Sequence, residues 1–224
     1  MPSACTLGCS LLSRLFTADV CVSFDAVHPE DRQPYATTVL DGKTLSAQPK
    51  YSKLHHNWIV ANYAADGGCY DNDDGSSWYL EQDNFCIYGG MKSNFEGHNK
   101  RSTGNLHAFA SVYGDTCVNG IGAFSPEYSD GYANNTCILT KEGDSYLEIY
   151  SNCDVKAPAF NMILGGNTVY APGASVRVSC NGEKMSGAAW LKASKGWDAG
   201  TVLKDSASLT SAAIVAIGEA ALAK

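Results

Sequence analysis

Charge is scarce in this chain: 17% of its 224 residues are Asp, Glu, Lys or Arg, and the formal net charge is −7. So few cations make no basic face to neutralise a phosphate backbone, which excludes nucleic acid as an expected partner. No apolar run reaches the ~18 residues that a membrane-spanning helix needs, so no membrane span is expected and the protein should be soluble. The nine Cys, at positions 5, 9, 21, 69, 86, 117, 137, 153 and 180, lack the paired short spacing of zinc ribbons and fingers, which argues against a structural zinc site. Disulfides and small apolar core fillers are both open readings for them. Met1 to Phe24 carries a weak apolar run (Leu11, Leu12, Leu15, Phe16) but opens Pro2-Ser3-Ala4-Cys5 without a basic n-region, so no convincing secretion signal is present. Either export is not encoded here or the sequence begins inside a longer gene product.

What the chain has in quantity is Gly (22) and Tyr (12), with many Asn and Asp. That is a turn-rich, β-leaning composition until an Ala-rich C-terminus. Self-similarity exposes the organisation. An Asn heads a short strand-like run at Asn57-Trp58-Ile59-Val60, Asn84-Phe85-Cys86-Ile87, Asn105-Leu106-His107-Ala108, Asn135-Thr136-Cys137-Ile138 and Asn167-Thr168-Val169-Tyr170, at spacings of 27, 21, 30 and 32. Twenty-odd residues is the length of one solenoid coil, with loops supplying the excess. Asn suits such a place because its side chain tolerates tight-turn angles and bonds neighbouring amides, so stacked copies can form a ladder of shared hydrogen bonds.

A second register lays Cys69 to Ser76 over Met91 to His98 at an offset of 22, with Cys117 to Gly122 as a looser copy at an offset of 26 from Met91. Period-two alternation then turns Cys69, Met91 and Cys117 inward. It turns Tyr70, Asn72, Asp74 and Ser76 outward, above Lys92, Asn94, Glu96 and His98. The Asn-headed runs place Ile59, Cys86, His107, Cys137 and Val169 in one column, and His107 is expected in the core, satisfied by a backbone carbonyl. Cys86 and Cys137, two rungs apart at about 9.6 Å, are too distant to share an ion. The reading divides the chain into an irregular lead-in over 1–50 that can cap the first coil, a parallel β-helix over 51–180, and a C-terminal cap with short helices over 181–224. A helix begins at Ala188 to Leu191, and a second runs from Leu209 to Ala223 with Ser208 as N-cap.

These runs, with His55 to Asn62, Asp71 to Ser76, Trp190 and Gly196-Trp197-Asp198-Ala199-Gly200, resemble the right-handed parallel β-helix proteins of the pectin-lyase-like superfamily over residues 51 to 224. The resemblance implies an all-β right-handed solenoid with a C-terminal helical cap. It also implies a protein that acts on, or binds, acidic or neutral polysaccharides along an exposed sheet groove, and so an extracellular or cell-surface setting. The glycine-flanked histidine and Arg-Ile-Lys element of polygalacturonases and the arginine-centred motif of pectate lyases are absent, so no established active site transfers.

Chemistry is therefore read from the outward face. Asp74 and Glu96 on coils about 4.8 Å apart would hold their carboxylates close. Such a pair can split its pKa values and serve as acid and nucleophile in a retaining glycoside hydrolase, where carboxyls stand about 5–5.5 Å apart. Alternatively Asp71, Asp73, Asp74 and Glu96 can supply oxygens to Ca2+, leaving Lys92 or His98 as base for β-elimination from an acidic sugar. Tyr70, Trp78, Asn72 and Asn94 are the expected substrate-binding residues, within a cluster that also holds Tyr63, Tyr79 and Tyr88. Asn134-Asn135-Thr136 matches the N-glycosylation pattern. The expectation is a monomeric polysaccharide lyase or glycoside hydrolase; the rival is a noncatalytic polysaccharide-binding or surface-structural β-helix. A solvated turn at Asp71 to Ser76 is the reading without function.

Overall fold

The structure is a computed structural model. It describes residues 51–60, 68–72, 76–93, 98–110, 116–122, 129–150, 162–194 and 196–224, together with the backbone pairing of Val39–Leu40 with Lys43–Thr44. From residue 52 onward the chain is a parallel β-solenoid. Five coils each lay down three short strands, one on each of three parallel sheets.

Sheet C holds Ser52–His55, Tyr79–Gln82, Arg101–Thr103, Asp130–Ala133 and Met162–Gly165. Sheet A holds Trp58–Ile59, Phe85–Ile87, Leu106–Ala108, Thr136–Ile138, Thr168–Ala171 and, after the last full coil, Val202–Asp205. Sheet B holds Tyr70–Asp71, Met91–Lys92, Thr116–Ile121, Asp144–Ile149 and Val176–Cys180, and ends on the antiparallel strand Glu183–Ser186.

The corner between sheets C and A is two residues long in every coil, and its second residue is the repeated Asn. Asn84 Oδ1 accepts both the backbone N–H and the side-chain Nδ2–H of Asn57, each at 2.9 Å. Asn105 does the same for Asn84 and Asn135 for Asn105. Asn167 accepts the N–H of Asn135, and Thr201 Oγ1 closes the series on the N–H of Asn167. The other amide proton reaches back to a carbonyl of the preceding coil: Asn84 to Leu54, Asn105 to Glu81, Asn135 to Ser102 and Asn167 to Tyr132. The ladder expected from the sequence is present, but the division of labour differs. The tight backbone angle belongs to the residue before the Asn: φ is positive at His56, Asp83, Gly104, Asn134, Gly166 and Gly200, and at none of the five Asn. The Asn is there for its amide, which satisfies corner groups that the sheets leave unpaired.

The inward column of sheet A is the expected one, with Ile59, Cys86, His107, Cys137 and Val169 in register. His107 is fully buried, as expected, but its Nδ1 pairs with the Tyr132 hydroxyl at 2.8 Å rather than with a carbonyl. Two disulfides cross the interior: Cys69–Cys86 and Cys117–Cys137, with Cα separations of 6.2 and 6.0 Å. Cys180 is disulfide-bonded too.

The C-terminal end carries the two expected helices, but strands run further along the chain than expected. The strand signal does not stop at Cys180. Asn181-Gly182, with φ of 48° and 87°, makes the tight hairpin turn that favours this dipeptide, and Glu183 and Lys184 then present a charged, exposed edge that discourages further pairing. Helix α1, Gly187–Ala193, is capped by Ser186 and buries Trp190 in the core with Val176 and Leu203 packed nearby, so it covers the open end of the stack. Helix α2, Ser211–Leu222, is capped by Thr210, not Ser208. It does not cover that end: Ile214 and Ile217 pack on Phe85, Leu106 and Ile138, along the outer face of sheet A.

The Phe85 ring is stacked on Trp58 at 5.2 Å and meets the helix at Gly218, where an added Cβ would come within 2.2 Å of it. Gly218→Ala would gain about 1 kcal/mol of helix propensity. The buried ring cannot give way, so a net loss of about 1–2 kcal/mol is expected. Amide exchange protection should fall over 211–222 while the Asn ladder keeps its own.

Candidate functional site

The outward face of sheet B carries the proposed groove, and its register settles which side chains reach it. Tyr70 pairs with Met91 and Asp71 with Lys92; Val118 and Asn119 follow in the next coil. The offsets are therefore one residue away from 22 and 26, and a one-residue slip exchanges the two faces of a strand. Tyr70 and Asn72 point inward and are 2% exposed. Asp71 and Lys92 point outward, in a column continued by Asn119; past an irregularity in the pairing after Val118, Glu148 and Ser179 pair with each other on the next two coils.

This column is polar and internally bonded. Lys92 Nζ lies 3.1 Å from Asp71 Oδ1. The Tyr150 hydroxyl donates to Asn119 Oδ1 at 3.4 Å. Arg177 lies 3.7 Å from Glu148 and donates to the Gly143 carbonyl at 2.7 Å. Tyr150 is 41% exposed, while Lys92 and Asn119 are nearly covered. From coil to coil, about 4.8 Å apart, the column runs carboxylate, ammonium, amide, hydroxyl and guanidinium, with the Tyr150 ring its exposed member.

The other expected site residues are distributed as follows. His98 lies at the corner between sheets B and C, opposite Ser77 rather than Ser76. It is buried instead of lying on the surface, with its ring 6.0 Å from Trp78 and its Nδ1 bonded to Asn99 Nδ2. Trp78 is half-buried between Tyr51 and His98. Tyr79 is buried and Tyr88 is exposed. Asp73, Asp74, Asn94 and Glu96, and with them the proposed carboxylate pair, lie outside the described residues, as does Tyr63. Of the four candidate calcium ligands only Asp71 is described, and an ammonium already faces its carboxylate. Asp71 therefore offers a cation a poor place. Asn134, of the glycosylation pattern, is exposed at its corner.

A second polar group, unforeseen from the sequence, fills the interior of the early coils. Glu81 is buried on the inward face of sheet C and accepts a hydrogen bond from Asn72 Nδ2. Burial pushes its carboxyl up to about 8, the bond from Asn72 and the charge of Lys100 pull it back, and the charge of Asp130 adds to the rise. Lys100 and Asp130 are buried beside each other on adjacent coils. His107 is held down to about 3 by burial, and its Nε2 has no hydrogen-bond partner among the described residues. Its ring stacks on Tyr132 at 5.7 Å. The signal for this group was in the Asn repeat read backwards. Three residues before the Asn come Leu54, Glu81, Ser102, Tyr132 and Leu164; five before come Ser52, Tyr79, Lys100, Asp130 and Met162. From the second coil on, both columns face inward.

No helix among the described residues is long and apolar enough to cross a membrane. Compared with known proteins, the chain matches no family model, no curated protein and no solved structure, so the parallel solenoid rests on its own strand pairing.

Proposed function

We propose that this protein is a polysaccharide-binding β-solenoid, located outside the cytosol, whose ligand lies along the outward face of sheet B. The observation that carries the reading is the polar column Asp71, Lys92, Asn119, Glu148, with Tyr150 and Arg177 beside it. A sugar chain presents hydroxyls at regular intervals along one direction. A parallel stack presents planar hydrogen-bonding side chains in the same way, and Tyr150 adds an exposed ring for a pyranose face. Each described carboxylate in the column is matched by a cation, which suits the binding of neutral hydroxyls better than proton transfer. The disulfides support an oxidising compartment.

Catalysis as a lyase or hydrolase would rest on Asp74 and Glu96, and a polysaccharide panel separates it from binding. Retention in gels containing uronic-acid or neutral polysaccharides, with and without a calcium chelator, reads binding. Ultraviolet absorbance of unsaturated products and reducing ends read cleavage. Binding to at least one polymer without product is expected, with affinity reduced about 10-fold, or ~1.4 kcal/mol, by Tyr150→Ala and by Glu148→Ala. Silence across the panel from folded protein, or binding indifferent to both substitutions, would overturn the proposal. Product that disappears in Asp74→Asn and Glu96→Gln would replace it with the enzymatic reading.

A further inference from the structure

The interior of sheet C brings a lysine and an aspartate together under unusual conditions. Lys100 Nζ lies 3.4 Å from Asp130 Oδ2, and both side chains are 0% exposed. The backbones are neighbours as well, since Gly131 N–H donates to the Lys100 carbonyl at 2.8 Å. Each reacting group is held by further bonds. Lys100 Nζ donates to the Ser93 carbonyl at 3.1 Å. Asp130 Oδ1 accepts the Lys100 backbone N–H at 3.0 Å, and Oδ2 accepts the Ser93 hydroxyl at 3.5 Å. Glu81 stands on the same inward face, one coil before Lys100 and two before Asp130, level with Ser102 in the register, and its Oε2 has no hydrogen-bond partner among the described residues.

We propose that Lys100 and Asp130 condense to an intramolecular isopeptide bond, Nζ to Cγ, with Glu81 as the assisting acid. Two buried charges each carry a desolvation cost, which a neutral amide abolishes. Positioning inside a packed core supplies effective concentrations that reach about 10⁵–10⁸ M for oriented groups, and a dry interior disfavours the reverse hydrolysis. The step balances without a co-reactant. Lys100 passes one ammonium proton to Asp130 Oδ2, and the amine lone pair adds to Asp130 Cγ while Glu81 donates its carboxyl proton to the other oxygen. The tetrahedral centre collapses with cleavage of one Cγ–O bond, that hydroxyl takes the second proton from the nitrogen and departs as water, and the remaining oxygen returns its proton to Glu81. Ammonium and carboxylate become amide and water; nothing is oxidised or reduced.

The test is the intact mass of the full chain after disulfide reduction and denaturation, followed by fragmentation. A mass below that of the sequence by one water is expected, with a branched peptide joining the segments that contain Lys100 and Asp130. Lys100→Met and Asp130→Ala should restore the full mass, and Glu81→Gln, which preserves shape, should leave most molecules unlinked. The full mass in folded wild-type protein, shown by a cooperative melt, would overturn the proposal. So would a water lost within an unbranched peptide, the mark of a succinimide at Asp130-Gly131. A branched peptide formed as fast in Glu81→Gln would overturn the part assigned to Glu81.

Discussion

Asn105→Ala is expected to destabilise the protein by about 3–5 kcal/mol, read as a fall in the denaturant midpoint. The substitution strands the backbone N–H and the side-chain amide of Asn84, both of which donate to Asn105 Oδ1. It also removes the donor to the Glu81 carbonyl and one donor to Asn135 Oδ1. Each buried group left unpaired costs about 1–3 kcal/mol, and whole domains have only about 5–15 kcal/mol in hand. Asn57→Ala is the internal comparison. Asn57 is exposed, and Asn84 Oδ1 keeps the backbone N–H of residue 57 after the change, so a loss within about 0.5 kcal/mol is expected. Equal costs at the two positions would mean that the ladder acts through something other than burial of its amides.

The second large effect is on pH dependence. Glu81 has a carboxyl raised from 4.5 to about 8 in the folded protein. The unfolded chain therefore releases this proton first, and stability falls as pH rises from about 4.5 to 8, by roughly 1.4 kcal/mol per unit. His107 is lowered from 6.5 to about 3, so the unfolded chain takes up this proton first and stability falls as pH drops from about 6.5 to 3. Between about 4.5 and 6.5 the two slopes oppose each other, and a stability plateau is expected there, with a decline on both sides. Glu81→Gln mimics the neutral acid. It should remove the alkaline decline, so that its stability relative to wild type rises by roughly 2–4 kcal/mol between pH 4 and pH 7, on top of a constant deficit at every pH from the missing Lys100–Asp130 link. Chemical denaturation across pH 4–9 measures this; an unchanged alkaline limb would show that Glu81 is not buried as an acid.

Both effects arise in groups whose importance grows with burial, and this separates what a linear reading could see. The Asn-headed runs were legible because a corner that recurs in every coil imposes one residue type at one place, and the inward column behind it follows from alternation. The groove was read one residue out of register. Cys69, Met91 and Cys117 look like a column because all three are apolar, yet Tyr70 and Val118 lie level with Met91. The adjacent disulfides, which carry Cys69 and Cys117 across to sheet A, let residues next to each other in the chain, Cys69 with Tyr70 and Cys117 with Val118, both be buried. Alternation fails as a guide where that happens.

What the sequence determined by itself is the repeat: an Asn at one bend of every coil, and strands that stack in parallel because each Asn bonds the next. Only the tertiary structure decided which carboxylate is charged, which helix covers the end of the stack and which lies along its side, and that Lys100 meets Asp130 across adjacent coils. Those outcomes depend on distance and exclusion of water between residues far apart in the chain. A carboxylate does not display its dielectric surroundings in the letters beside it.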